Sequence, residues 1–167
     1  MADLDARYRL LHGEREAARA ELKRLATSGR DVVVVSACLC GIRCRYDGRD
    51  KRMDEVVARA GADAEVLPLC PEVLAGFGTP RPAIAFSADG KNATDSRGQD
   101  VTQTLEAGAR LADLFAQEAG AKRALLKERS PSCGVHHVFG PDGVTEGEGR
   151  FAARLKKRGL AVASEEE

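Results

Sequence analysis

The chain has 167 residues, of which 43% are hydrophobic, 31% charged and 4% aromatic, and its 26 basic and 26 acidic side chains give a formal net charge of zero. This profile predicts a single globular domain, and the charge balance and the absence of Trp argue against a surface built for nucleic acid or an anionic membrane. No apolar run approaches the roughly 20 residues that span a bilayer, and the N-terminus lacks the apolar core of a signal peptide, so we expect a cytoplasmic protein.

The N-terminal segment, up to about residue 28, predicts one amphipathic helix. Apolar residues recur there every three to four positions between charged ones: Leu4, Tyr8, Leu11, Ala18, Leu22 and Leu25. This spacing is typical of a helix with one buried face, and Ser28-Gly29 supplies a stop signal. We interpret residues 1–30 as a helical extension ahead of a main domain at residues 31–167. Packing on that domain is favoured over binding to a partner.

The remainder of the chain alternates between strand and helix patterns. Strands are predicted at 32–35, 64–69, near 84–86, at 123–127 and at 160–163, and helices at 53–60, 101–119 and 150–157. The Gly- and Pro-rich segment 76–98 is predicted to be a long irregular loop, and a hairpin or loop excursion begins at residue 135. The four consecutive valines at 32–35 favour a strand buried on both faces. The alternation predicts an α/β fold, a Rossmann-like, mostly parallel sheet with flanking helices.

Three of the five cysteines follow predicted strands. Cys38 comes after the first strand, Cys70 directly after the second, and Cys133 shortly after the strand at 123–127. The carboxyl ends of parallel strands share one edge of the sheet, where open α/β folds bind their ligands. In a reducing compartment such cysteines are more typical of ligands than of disulfides. The sequence therefore predicts that these three thiols converge to hold a metal centre.

The spacing of the cysteines favours an iron–sulfur cluster over a structural zinc ion. Structural zinc usually takes paired ligands from a C-x-x-C motif, and the chain contains none. Three thiolates would leave the fourth iron of a 4Fe-4S cluster open to a substrate. Two other interpretations remain: ordinary buried thiols, or a separate metal or redox site in the C-x-C-x-x-x-C formed by Cys38, Cys40 and Cys44.

Polar residues stand beside these cysteines in the sequence. Glu72, two positions after the second of them, is a candidate general acid or base, or else a surface carboxylate that caps the segment PEVLAG at its N-terminal end. Ser130 and Ser132, just before the third, are candidates for hydrogen bonds to a substrate or to cluster sulfurs, or else for turn formation. Ser36 and Asp47 complete the candidate substrate contacts, although Asp47 is interpreted first as part of a plain turn.

Three motifs carry a resemblance to a known family. They are VSACLCGIRCRYDG (35–48), LCPEVLAGFGTPRP (69–82) and KERSPSCG (127–134). In this order they closely resemble the TudS-like thiouracil desulfurases, and the resemblance runs from about Val32 to the C-terminus. Two departures are Cys40, where the family usually has leucine, and AIAFSADG after Pro82, which is less acidic than the family pattern.

The resemblance implies an oxygen-labile 4Fe-4S cluster held by Cys38, Cys70 and Cys133, with one iron free to bind the sulfur of a substrate. It implies hydrolytic, non-redox removal of sulfur from a thiouracil-type pyrimidine or a related small thio-compound. Glu72 would be the acid or base, and Ser130 would assist it. The partner would be this small molecule, with no nucleic acid polymer or membrane, and the chain a monomer or weak homodimer. The alternative is a non-catalytic iron–sulfur or zinc-binding module that captures or senses small sulfur compounds.

Overall fold

The structure is a computed structural model that describes residues 3–167. The elements follow one another in the order α1 (Leu4–His12), α2 (Arg15–Ala26), β1 (Asp31–Ser36), a 3₁₀ turn (Ala37–Cys40), α3 (Asp54–Ala60), β2 (Ala64–Leu69), α4 (Pro71–Leu74), β3 (Ile84–Phe86), β4 (Ala93–Asp95), α5 (Thr102–Glu118), β5 (Arg123–Leu126), β6 (His137–Gly140), β7 (Gly143–Glu146), α6 (Arg150–Lys157) and β8 (Ala161–Ser164). Across these residues no helix is both long and apolar enough to cross a bilayer.

Four strands form one parallel sheet in the order β2-β1-β5-β8, which confirms the predicted α/β class. The chain first adds β2 on one side of β1 and then adds β5 and β8 on the other side. The strand order therefore reverses at β1. In sheets of this kind the ligand crevice lies outside the carboxyl ends of the strands at the point of reversal.

Burial on both faces of the sheet explains the run of valines in β1. Val32 and Val34 pack into a core shared with α2, α5 and α6, whereas Val33 and Val35 pack into a second core shared with α1 and α3. Successive side chains of a strand point to opposite faces, so a central strand covered on both sides needs an apolar residue at every position.

The N-terminal segment forms two helices, and the prediction of one continuous helix was wrong. The break lies at Gly13, whose backbone has φ −98° and ψ −132°, and a Cβ there would stand 2.8 Å from the carbonyl oxygen of Arg9. Glycine alone has no Cβ to clash in this position. The predicted buried face is confirmed, since Leu11, Leu22 and Leu25 are buried in the core. The first two residues of the predicted helix lie outside the described residues.

The segment predicted as an irregular loop, 76–98, is more ordered than expected. It contains the antiparallel pair β3–β4, of which only β3 was predicted, and the short helix α4 lies just before it. The region after residue 135 forms the antiparallel hairpin β6–β7, in agreement with the expected excursion.

The packing of α5 against α4 depends on one glycine. A Cβ at Gly108 would stand 2.3 Å from the carbonyl oxygen of Pro71 and 2.6 Å from the Cβ of Ala75. The two helices therefore approach so closely that only glycine fits, which explains a helix-disfavouring residue in the middle of α5. This contact fixes α4, the helix that carries Glu72.

Candidate metal centre

Three loops deliver cysteine side chains to one cavity at the carboxyl edge of the sheet. Cys38 lies in the 3₁₀ turn after β1, Cys70 directly after β2, and Cys133 in the turn that follows β5. All three are buried and free, and all three line a cavity of about 590 Å³. Because β1 lies between β2 and β5, the three loops are neighbours although their cysteines are far apart in the sequence.

A fourth cysteine, Cys44, lines the same cavity. Its side chain lies beside those of Cys38 and Cys70, and these neighbours together with burial raise the pKa of Cys44. The thiol of Cys44 lowers the pKa of Cys70 despite the opposing effect of burial, and Sγ of Cys70 lies 3.8 Å from the carbonyl oxygen of Cys44. Sequence reasoning left the role of Cys44 open. The residue that could have indicated its position is Gly41, whose left-handed conformation (φ 87°) turns the chain back after the 3₁₀ turn.

Cys40 is separated from this group. It is half-buried and does not line the cavity, and burial raises the pKa of its thiol to about 12. Across residues 3–167, no three Cys, His, Asp or Glu side chains are arranged to hold a single metal ion. The C-x-C-x-x-x-C segment therefore does not act as a unit, since only its first and last cysteines reach the cavity.

Glu72 enters the cavity from α4 and forms a buried ion pair. Its carboxylate accepts a hydrogen bond from Nη2 of Arg81 at 2.7 Å, and both side chains are largely shielded from solvent. Nη1 of Arg81 donates to the carbonyl oxygen of Cys44 at 2.9 Å. Arg81 thereby ties the carboxylate to the loop that carries Cys44. It is the next-to-last residue of the motif LCPEVLAGFGTPRP (69–82) and was not singled out from the sequence.

Ser130 lines the cavity and has one hydrogen-bonding capacity left. Its Oγ accepts from the backbone N–H of Cys133 at 3.0 Å and of Ser132 at 3.2 Å. A hydroxyl has two acceptor lone pairs and one proton, so with both acceptors used it can only donate. The turn role and the substrate role that were predicted as alternatives are therefore compatible.

Ser36 also lines the cavity and connects two of the strands there. Its Oγ accepts from the backbone N–H of Lys127 at 2.9 Å, and its side chain lies beside the thiol of Cys133. Burial raises the pKa of Cys133 well above its usual range, and the Ser36 contact opposes this rise. Ser36 thus contacts a candidate metal ligand directly.

The other two candidate substrate contacts do not line the cavity. Asp47 is at the surface, where its carboxylate accepts from the N–H of Arg49 at 3.0 Å and forms an ion pair with Arg45, as expected for a turn residue. Ser132 is buried, and its hydroxyl has no partner among the described residues. Contact of either residue with a substrate stays a prediction.

A buried carboxylate shapes the loop around Cys133. Oε1 of Glu128 accepts three backbone N–H groups, from Val135 at 2.9 Å, His136 at 2.9 Å and His137 at 2.8 Å. Burial by itself would raise the pKa of Glu128, but these three donors outweigh it, so the pKa is lowered. In the sequence, Glu128 is only one charged residue of the motif KERSPSCG. Its role could not be predicted, because a side chain that binds backbone amides produces no spacing pattern.

The chain is similar in sequence and in fold to known proteins. A family model described as 2-thiouracil desulfurase matches residues 33–167. An uncharacterized protein of Bacillus subtilis (strain 168), YbbK, is 36% identical over 148 residues, which cover 81% of this chain and 97% of the relative. The solved structure of the [4Fe-4S]-dependent thiouracil desulfidase TudS superposes with a TM-score of 0.73 at 37% identity, over 82% of this chain and 92% of that chain. Helices α1 and α2 lie outside the residues that the family model matches.

Proposed function

The chain belongs to the 2-thiouracil desulfurase family, and we propose that it is an enzyme that removes sulfur from thiouracil-type pyrimidines or related small thio-compounds with the help of a 4Fe-4S cluster. The observation that carries the proposal is the convergence of buried, free thiols from separate strand-end loops on one cavity. The family membership confirms the resemblance found in the three motifs. The similar TudS structure is described as [4Fe-4S]-dependent, which supports the same cofactor here.

The donor set in the cavity fits such a cluster. Thiolates are the ligands that iron–sulfur clusters require, and each thiolate binds a different iron, so the sulfurs need not converge on one point. We assign Cys38, Cys70 and Cys133 as the ligands because each comes from a different strand end. Cys44 lies beside Cys38 and Cys70 and lines the same cavity, and we assign it as a neighbour of the ligands.

The bound cluster would supply a Lewis-acidic iron without a cysteine ligand, to which the sulfur of the substrate binds so that the adjacent carbon becomes more electrophilic. The carboxylate of Glu72 accepts a proton from a water molecule that attacks this carbon. Ser130 donates a hydrogen bond from its hydroxyl to the reacting groups. The overall change converts a thiocarbonyl and water into a carbonyl and hydrogen sulfide, and no electrons are transferred.

The walls of the cavity suit a small heterocycle beside a cluster. Its volume of about 590 Å³ lies in the range of small-molecule sites. Ile84, Pro82 and Phe139 supply apolar surface, and Glu72 and Ser130 supply polar groups. Apolar walls with a few placed polar groups are typical of pockets that orient a planar ligand.

The proposal is tested with protein reconstituted with iron and sulfide without oxygen. We expect about four irons and four sulfides per chain, together with loss of the thiouracil absorption and release of hydrogen sulfide when 2-thiouracil or 4-thiouracil is added. Protein that carries the cluster and binds thiouracil without turnover would contradict the enzymatic proposal and support the sensing alternative. Protein that holds zinc and takes up no cluster would contradict the cofactor.

A further inference from the structure

Helix α1 lies along the outer edge of β2, the edge strand that leads into Cys70. Arg7 of α1 is buried and connects three elements: Nη1 donates to the carbonyl oxygen of Val66 at 2.7 Å, Nη2 to Glu65 at 2.8 Å and Nε to Glu21 at 3.0 Å. An edge strand has backbone groups without a strand partner. Arg7 therefore docks the N-terminal helices on β2 through a backbone carbonyl and two carboxylates.

The last residue of α1 reaches Cys70 itself. Nε2 of His12 lies 3.0 Å from the backbone nitrogen of Cys70, and Nδ1 lies 3.0 Å from the carbonyl oxygen of Tyr8. The N–H of Cys70 can only donate, so Nε2 must be unprotonated, and the ring proton is on Nδ1, which donates to Tyr8. The rings of His12 and Tyr8 are stacked, with their centroids 3.8 Å apart.

The hydrogen bond is directed at a group that would otherwise lack a partner. Cys70 precedes the first residue of α4, where no helix hydrogen bond is available to its N–H, and its side chain is buried. A buried amide without a partner costs free energy and leaves its peptide free to rotate. The orientation of that peptide sets the direction of the Cα–Cβ bond and hence the position of the Cys70 sulfur.

We propose that the N-terminal helix acts as a clamp on the metal centre, with His12 as a positioning residue that fixes the Cys70 peptide. This inference rests on the proposed function, in which Cys70 is a cluster ligand. The clamp comes from the part of the chain outside the family model, so it is a feature of this chain's extension. It also occupies the Cys70 N–H, which is then unable to donate to a sulfur, a type of contact that tunes iron–sulfur centres.

Two matched amide variants separate positioning from simple packing. In His12→Gln the side-chain carbonyl oxygen reaches about as far from the backbone as Nε2 of His12 does. In His12→Asn the carbonyl oxygen is too close to the backbone to reach the N–H of Cys70. Leu10→Ala, on the exposed side of α1, serves as the control. Circular dichroism melting of all variants checks that they fold.

The first readout uses the metal-free protein. Hydrogen exchange of the Cys70 amide, followed by NMR, should be about tenfold faster in His12→Asn than in the wild type, because a hydrogen bond of about 1.4 kcal/mol is lost. His12→Gln and Leu10→Ala should exchange at close to the wild-type rate. Equal rates in His12→Asn and the wild type would overturn the clamp.

The second readout uses the reconstituted protein. Release of iron to a chelator should be several-fold faster in His12→Asn than in the wild type, and His12→Gln should restore slow release. Unchanged release in His12→Asn would contradict the positioning of Cys70 as a ligand. If the wild type takes up no cluster, the proposed function fails, but the exchange rates of the metal-free protein still decide whether the clamp exists.

Discussion

At the scale of single residues, the four cavity thiols have different surroundings although they are close together. Ser36 lies beside Cys133, Cys44 lies beside Cys38 and Cys70, and the backbone N–H of Cys70 donates to His12. Two of the three proposed ligands, Cys70 and Cys133, thus have a supporting group from another element, as is typical of metal sites whose ligands are oriented by neighbours.

The ligand assignment predicts the effect of removing single cysteines. Cys38→Ala, Cys70→Ala and Cys133→Ala should each lose the brown colour and most of the iron after anaerobic reconstitution, because three thiolates are the minimum set in the proposal. Cys40→Ala, whose side chain lies off the cavity, is the matched control and should retain full iron. Full iron in any one of the first three variants would remove that cysteine from the set.

Cys44 has its own prediction. We expect Cys44→Ala to keep close to the wild-type iron content, because its thiol is assigned as a neighbour of two ligands and not as a ligand. Iron and sulfide analysis of Cys44→Ala and Cys38→Ala in parallel tests this assignment. Loss of iron in Cys44→Ala together with retention in Cys38→Ala would exchange the two assignments.

The proposed role of Glu72 predicts a loss of turnover without loss of the cluster. Glu72→Gln preserves the shape of the side chain but lacks a carboxylate to accept the proton, so kcat should fall by about 10²–10⁴-fold. Iron content and the visible spectrum should stay unchanged. Glu118→Gln, an exposed substitution on α5, is the control. Wild-type turnover in Glu72→Gln would contradict the assignment.

At the scale of elements, the loops depend on a few buried contacts more than on regular structure. The Cys133 loop is organised by one carboxylate, and a Cβ at Gly134 would stand 2.3 Å from the carbonyl oxygen of His137. Helix α4 is held by its close approach to Gly108. A rigid arrangement of this kind is what a site needs if its ligands come from separate loops.

Glu128 predicts a dependence of stability on pH. Its pKa is lowered in the folded protein, so its contribution to the free energy of unfolding is complete above the unfolded pKa of about 4.5 and is lost as the pH falls through the folded pKa. Glu128→Gln keeps an oxygen for the three N–H groups but removes the charge. We expect it to be less stable than the wild type by about 1–2 kcal/mol at pH 7.

The measurement is urea unfolding of the metal-free protein between pH 3 and 7. The difference between wild type and Glu128→Gln should shrink at the acid end, while Glu55→Gln, an exposed change, should follow the wild type throughout. A difference that stays constant with pH would contradict the role of the charge.

At Gly108, the helix propensity favours alanine, whereas the packing of α5 against α4 requires glycine. Alanine would favour the helix by about 1 kcal/mol over glycine, but its Cβ would clash with the backbone of Pro71. We expect Gly108→Ala to lower the melting temperature and to reduce turnover, because α4 and Glu72 must shift. Gln103→Ala, at an exposed position of the same helix, should leave both unchanged. A more stable Gly108→Ala would show that the two helices separate without cost.

At the scale of the whole molecule, the sheet makes one site from three distant segments. The reversal of strand order at β1 places the ends of β2, β1 and β5 side by side. The N-terminal helices then cover the outer edge of β2 and contact the same site from the side. A group bound at this edge would therefore add direct links between these three segments of the chain.

This arrangement predicts that loading of the cluster stabilises the fold. A ligand that binds the native state and not the unfolded chain raises the free energy of unfolding by about 3–4 kcal/mol when it is present at 100–1,000 times its dissociation constant. For a chain of this length the melting temperature should rise by roughly 5–15 °C. Anaerobic melting of loaded and metal-free protein measures the shift. An equal melting temperature for both would contradict the joining of the three loops.

The sequence by itself determined the elements and their order. The valine run, the apolar spacing of α5 and the stop signals placed most strands and helices within a residue or two, because hydrophobic periodicity is a local property. The same local logic placed Cys38 and Cys70 at strand ends. It missed α4 and β4, whose three or four residues are too short to show a period, and it missed the break at Gly13, since glycine occurs both within helices and between them.

Only the tertiary structure decided which side chains share the cavity. Cys40 and Cys44 are equivalent in a list of cysteines, but the left-handed turn at Gly41 brings Cys44 into the cavity, while Cys40 remains outside it. The roles of Arg81 and His12 were likewise decided by contacts with residues distant in the chain, Cys44 and Cys70 respectively. Periodicity reports which face of an element is buried, whereas a site depends on distances between elements, and those are set only when the sheet order and the packing of the helices are complete.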